Sequence, residues 1–182
     1  MAETINIQEM DLETAVDSII TRFRAVHWGK KAGLQNGEAE EKVITFLDAL
    51  NVNSYTIKWI TSGELSETIS RLTFEGSELW DQLKEIPERF STRIRQAGQE
   101  ELLFELGDRL PEIIFHQAFS HMIDLATDKK STEYLIGLAM YLCVLTCSAE
   151  LAGEGSSFYP MIELLEMGNL VLGVEGNTIY LL

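Results

Sequence analysis

The stretch that decides the fold is 134–147, which reads YLIGLAMYLCVLTC. Only Gly137 and Thr146 interrupt its apolar character, and charged residues flank it on both sides. Its continuous length falls short of the roughly 18–20 residues that span a bilayer. A helix that is apolar on every face is typical of the centre of a globular domain. The sequence therefore predicts a buried central helix at about 132–151, capped by Ser131 or Thr132.

Amphipathic helices are predicted on both sides of this segment, because apolar residues recur there with helical spacing. Capping residues, glycines and prolines set their expected ends. The first two are 12–27, after an Asp11 cap, and 37–50. The next two are a helix from the Thr61–Glu64 capping box up to Gly76, and 77–97 with a bend or restart at Pro87. The last three are 99–106, ended by Gly107, then 112–126 with Pro111 in its first turn, and a short helix from Pro160 that ends before Gly168.

The C-terminal residues predict a β-hairpin at about 170–182. Two apolar runs, 170–174 and 178–182, flank the turn sequence Glu175, Gly176 and Asn177. A hairpin alone is marginal in water, so it must pack on the helices or add to another strand. The alternating segment at about 55–60 is the candidate strand. The predicted fold class is mainly α (α+β), as one globular domain over 1–182.

The charge of the chain limits its partners. The net charge is −15, and all 14 lysines and arginines lie between Arg22 and Lys130. Such a surface repels phosphate, which disfavours nucleic acid and anionic membranes and leaves a basic protein as the permitted charged partner. The acidic stripe Glu9, Glu13 and Asp17, which runs into the first helix, is the predicted partner-binding surface, and a solvated helix face is the alternative interpretation.

Catalytic motifs are missing from the sequence. There is no nucleophile elbow, no P-loop and no dinucleotide fingerprint, so no cofactor is predicted. Cys143 and Cys147 share a helix face within the apolar segment and are expected to be buried, reduced thiols. Together with the lack of a secretory signal at the N-terminus, they favour a cytoplasmic protein.

The best candidate for a metal site consists of two histidines and two carboxylates, which are Glu112, His116, His121 and Asp124. Glu112 and His116 share one helix face, and His121 and Asp124 share another. These two pairs do not converge on one helix, so a second helix would have to supply ligands. Two histidines at the edge of an amphipathic helix are the simpler interpretation. His27, at the predicted end of the first helix, is expected to complement the negative helix terminus.

The sequence favours a non-catalytic interaction module that binds or masks a basic partner, as an inhibitor, immunity protein or antitoxin does. The alternative hypothesis is an enzyme or a protein that binds a small molecule or a metal, with scattered site residues around His116 and His121. A third is a homo-oligomer joined through the hairpin edge or the apolar C-terminus. The partner, the ligand and the reaction, if there is one, leave no motif in the chain.

Overall fold

The computed structural model describes residues 12–29, 34–52, 54–72, 77–126, 128–151 and 155–182. Within them lie helices packed around one long helix and a small sheet. The helices are α1 Leu12–Arg24, α2 Gly37–Ala49, α3 Leu65–Ile69, α4 Glu78–Leu83, α5 Ile86–Gln96, α6 Glu100–Met122, α7 Lys129–Leu151 and α8 Gly155–Glu166. The strands are β1 Thr56–Trp59, β2 Val171–Glu175 and β3 Thr178–Leu181, and a 3-10 turn at Ser62–Glu64 precedes α3.

Helix α7 is the predicted central helix. It contacts α3, α5, α6 and α8, and most of its residues from Ser131 to Ala149 are buried. By length and hydropathy it is the one helix in the described part of the chain that could cross a bilayer, and 61% of its most apolar window is buried inside the domain. Burial of most of its residues accounts for its composition, so the prediction of a buried core helix is confirmed.

The cap of α7 differs from the prediction. Asp128, and not Ser131 or Thr132, occupies the position before the first helical residue. Its carboxylate accepts hydrogen bonds from the Ser131 N–H at 2.9 Å and from the Ser131 hydroxyl at 2.8 Å. Aspartate is as good an N-cap as serine, and its oxygens reach the N–H three residues on. The helix therefore begins at Lys129, two residues before the serine.

The sheet has the order β1-β3-β2. Strands β2 and β3 form the predicted antiparallel hairpin, in which Glu175 pairs with Thr178. Strand β1 lies parallel to β3, with Thr56 opposite Thr178. A parallel pair needs a long crossover, which the helices between β1 and β3 supply. The hairpin thus adds to the candidate strand at 55–60, which was one of its two predicted alternatives, and β3 is buried in the middle of the sheet.

Helix α6 corrects two of the predicted helix ends. Gly107 does not end a helix and Pro111 does not start one, because α6 runs from Glu100 to Met122 without a break. Every fourth residue of α6 is buried, in a row that comprises Leu102, Leu106, Leu110, Ile114, Ala118 and Met122. Burying one leucine contributes about 1.5–3 kcal/mol. The whole row outweighs the interior costs of about 1 kcal/mol for glycine and about 3 kcal/mol for proline.

Pro160 is a second proline inside a helix. Helix α8 begins at Gly155 and not near Pro160 as predicted, and it ends before Gly168 as expected. The residues on its inner side, Phe158, Met161, Ile162, Leu164 and Leu165, are buried. Continuous burial again overrides a local break signal. At Pro87 the prediction was correct, because α4 ends at Leu83 and α5 restarts with this proline in its first turn.

Candidate functional site

The outward face of α6 carries a row of large apolar side chains in contact with solvent. Phe115, Phe119 and Ile123 are 43%, 44% and 43% exposed. They are spaced four residues apart, with Ile123 in helical conformation just after the last residue of α6, so they lie side by side along the helix. The rings of Phe115 and Phe119 are stacked, with centroids 6.1 Å apart. Single exposed apolar residues are ordinary, whereas a contiguous set marks an interaction surface. We call these three residues the α6 row.

Carboxylates surround the α6 row. Helix α6 contains five acidic residues and one arginine. That arginine, Arg109, is bound by Glu105 at 3.2 Å and by Asp17 of α1 at 2.7 Å. Within the described residues, no ion pair involves Glu112 or Asp124, which are both exposed. The row is therefore an apolar strip at the edge of a negatively charged helix face.

Of the three residues predicted to bind a partner, Glu9, Glu13 and Asp17, the structure describes only some. Glu9 lies outside the described residues, and so does the side chain of Glu13, whose backbone belongs to α1. Asp17 is exposed, and its carboxylate accepts a hydrogen bond from Arg109. Asp17 thus ties α1 to α6, and the acidic stripe as a binding surface stays a prediction.

A cluster at the end of α1 joins this helix to the C-terminal half of α6. The rings of His27 and His121 stack with their centroids 4.0 Å apart. The backbone N–H of Trp28 donates to His121 Nδ1 at 3.2 Å, which places the imidazole proton on Nε2. Burial, and to a lesser degree the proximity of His27, lowers the pKa of His121. A neutral His121 with an occupied Nδ1 is a structural group.

Gln117 closes the end of α1 in the same cluster. Its amide nitrogen donates to the carbonyl of Arg24 at 2.8 Å and to the carbonyl of Val26. Its amide oxygen lies 3.4 Å from the indole nitrogen of Trp28, which is fully buried. The expectation that His27 lies at the helix end was therefore wrong. The helix ends three residues earlier, at Arg24, and a glutamine from α6 satisfies its carbonyls.

The structure does not bring the four predicted metal ligands together. His121 faces the residues that follow α1, and the ring of His116 packs edge-on against Phe115 with centroids 5.6 Å apart. Glu112 and Asp124 are exposed. Among the described residues, no three or more histidine, cysteine, aspartate or glutamate side chains form a group that could hold a metal ion.

The cysteines lie in the core as predicted. Cys143 and Cys147 are both buried on α7, and neither forms a disulfide. Burial, with a smaller contribution from Cys147, raises the pKa of the Cys143 thiol. The thiolate is the reactive form of cysteine, so such a thiol is inert.

The spacing of the α6 row is visible in the sequence, but its exposure to solvent is not. Phe115, Phe119 and Ile123 belong to the predicted helix 112–126, whose apolar spacing does not separate its buried residues from its exposed ones. Only the packing of α6 on α7 and α1 shows which apolar residues remain outside. No family model, curated protein or solved structure matches this chain. Its function is therefore inferred from this surface.

Proposed function

We propose that this protein is a non-catalytic interaction module that binds a basic partner protein through the outward face of α6. One observation carries the proposal, namely three large apolar side chains at helical spacing beside unpaired carboxylates. Anchors at positions i, i+4 and i+8 are the pattern by which a helix enters an apolar groove of a partner. The partner that fits has an apolar cleft with lysine or arginine at its rim.

The charge of the protein supports a basic partner. With a net charge of −15, the chain attracts positive surfaces from a distance and repels negative ones. Complementary charge mainly raises the association rate and the specificity. Docking of a second copy of this chain is less favourable, because it would bring two negatively charged α6 faces together.

The apolar row supplies the affinity. Complete burial of a phenylalanine contributes about 1.5–3 kcal/mol, and Phe115 and Phe119 have a little under half of their surface left to bury. Removing both rings is therefore expected to weaken binding by about 1.3–2.6 kcal/mol, which is roughly 10- to 80-fold in Kd. We place this interaction in the cytoplasm, since buried thiols without a disulfide suit a reducing compartment.

The test compares partner capture by three forms of the tagged protein in lysate of the native source. They are the wild type, the double variant Phe115→Ser/Phe119→Ser, and Ile44→Ser as the matched control. Ile44 lies on α2 and is 50% exposed, so the control removes an exposed apolar side chain elsewhere. We expect one stoichiometric basic protein with the wild type and the control. High salt should release it, and the double variant should not retain it.

The captured partner is then purified and titrated against all three forms at low and high salt. Equal affinity for the double variant and the wild type would refute the proposal, as would an acidic partner or the absence of a partner. A dimer of the protein itself that the double variant abolishes would assign the α6 row to self-association instead. Analytical ultracentrifugation distinguishes that outcome.

A further inference from the structure

A groove separate from the α6 row opens between α5, α6 and α7. Its volume is about 480 Å³, within the range of roughly 300–1,000 Å³ that is usual for small-molecule sites. Apolar side chains from two helices form its walls. They are Leu103, Phe104 and Leu106 of α6 and Val144 and Leu145 of α7. Such walls suit an aliphatic or aromatic body.

Polar groups without partners line the same groove. Ser91, Tyr141 and Ser148 line it, and their hydroxyls make no hydrogen bond to any described residue. Tyr141 is half-buried, and this burial raises its pKa. A half-buried hydroxyl that lacks a protein partner bonds to water or to a ligand. The three groups therefore provide donors and acceptors for the polar end of a bound molecule.

The charge beside the groove is unusual for this protein. Helix α5 contains three arginines and one glutamate, and no other helix in the described part of the chain has more basic than acidic residues. Arg95 lines the groove and forms no ion pair with a described residue. Glu100 also lies at the rim and would repel an anion. An arginine left unpaired in a chain of net charge −15 is a ready site for a carboxylate.

We propose that this groove binds an amphipathic carboxylate, such as a medium-chain fatty acid. The aliphatic chain lies against the walls from α6 and α7. The carboxylate accepts hydrogen bonds from Arg95 and from the hydroxyl of Ser91 at the α5 side. The proposal is independent of the α6 row, which lies further along α6.

Gly107 offers a way to close the groove without damaging the fold. It lies in the middle of α6 and lines the groove, and a Cβ built on it meets no heavy atom within 4 Å. Gly107→Leu therefore places a side chain in the ligand space and also improves helix propensity. Gly137→Leu is the matched control, since Gly137 is an equally open helical glycine on α7 outside the groove.

Isothermal titration with octanoate tests the proposal, with 1-octanol as the uncharged probe. We expect one saturable site for octanoate, weaker binding of 1-octanol, and loss of octanoate binding in Gly107→Leu with an unchanged or higher thermal midpoint. Gly137→Leu should bind as the wild type does. Arg95→Gln should weaken binding about three- to tenfold, a range that allows for solvent screening of an exposed arginine. Arg93→Gln, the same charge change on the same helix, should have little effect.

Three results would overturn this assignment. The first is no saturable binding of octanoate to the wild type. The second is equal binding of octanoate to Gly107→Leu and to the wild type. The third is equal affinity for octanoate and 1-octanol, which would show that Arg95 does not recognise a carboxylate. Glu100→Gln tests the role of charge from the opposite side, because removing this negative charge at the rim should strengthen octanoate binding.

Discussion

Gly168 is the position where a single methyl group should do most harm. It follows α8 with a φ of +81°, and its carbonyl accepts the N–H of Gly29 at 3.1 Å. A Cβ built on Gly168 lies 2.4 Å from the carbonyl oxygen of His27. That oxygen belongs to the backbone, so it cannot move out of the way by a rotamer change. Gly168→Ala must therefore displace the segment that connects α1 to the His27–His121 stack.

A substitution at Gly98 measures the cost of the left-handed backbone conformation without the steric clash. This glycine follows α5 with a φ of +70°, and a Cβ there meets no heavy atom within 4 Å. Both glycines end a helix with the same pattern, in which the next N–H bonds to a carbonyl five residues back, from Gln99 to Ile94 and from Asn169 to Leu164. The two sites thus differ mainly in the contact with His27.

The expected magnitudes differ several-fold. Alanine in the left-handed region costs about 1–2 kcal/mol, and the stiffer unfolded chain offsets about 0.4–1 kcal/mol of that. Gly98→Ala should therefore lower the free energy of unfolding by about 1 kcal/mol. Gly168→Ala adds about 1–3 kcal/mol for overpacking and about 0.5–1.5 kcal/mol for the strained hydrogen bond from Gly29, a total of about 3–5 kcal/mol.

Urea unfolding followed by far-UV circular dichroism measures both variants against the wild type. Equal slopes of the unfolding free energy against urea concentration allow the midpoints to be compared directly. The reasoning is refuted if Gly168→Ala lies within about 1 kcal/mol of Gly98→Ala, since the clash alone is expected to cost more than that.

Further predictions concern single polar groups. The hydroxyl of Tyr134 donates to a carbonyl of strand β2, so Tyr134→Phe leaves a buried acceptor unpaired and should cost about 1–2 kcal/mol in urea unfolding. Hydrogen bonds from Ser66 and Ser131 lower the pKa of Asp128 from 3.8 to about 2. The stability from this cap is complete above pH 3.8 and is lost as the pH falls towards 2, so in thermal melts Asp128→Ala should be less sensitive to acid than the wild type. Burial lowers the pKa of His121 below 6.5, so the unfolded state binds more protons and stability should decrease as the pH falls through ~6.5. His121→Gln should flatten that decrease in urea titrations between pH ~7.5 and ~5.5.

Local patterns predicted the elements whose signals lie within a few residues. The hairpin was correct because its turn sequence and its two flanking apolar runs are contiguous in the chain. The capping box was correct for the same reason, since Glu64 accepts from the N–H and the hydroxyl of Thr61 at 3.2 Å and 2.8 Å. Helix α2 begins at Gly37 as predicted, and its cap Asn36 accepts from the N–H of Glu38. These interactions form within one turn and need no distant partner.

Local signals failed where packing outweighed them. Gly107, Pro111 and Pro160 indicate helix ends by propensity, yet all three lie inside helices. Their cost is a few kcal/mol and is confined to one position. The stabilisation that overrides it comes from rows of apolar residues against α7 and its neighbours, and no local window contains those partners.

The sequence by itself determined the sign of the charge, the buried central helix, the hairpin and the α+β class. Composition and hydrophobic periodicity carry these properties, because they depend on solvent transfer and on neighbours a few residues away. The tertiary structure alone decided which apolar side chains of α6 stay in solvent, and it placed His121 against Trp28, 93 positions away in the chain. The α6 row and the groove between α5, α6 and α7 both consist of surface that the packing of the helices leaves uncovered. Which side chains stay exposed and which grooves stay open depends on how the helices and strands pack against one another.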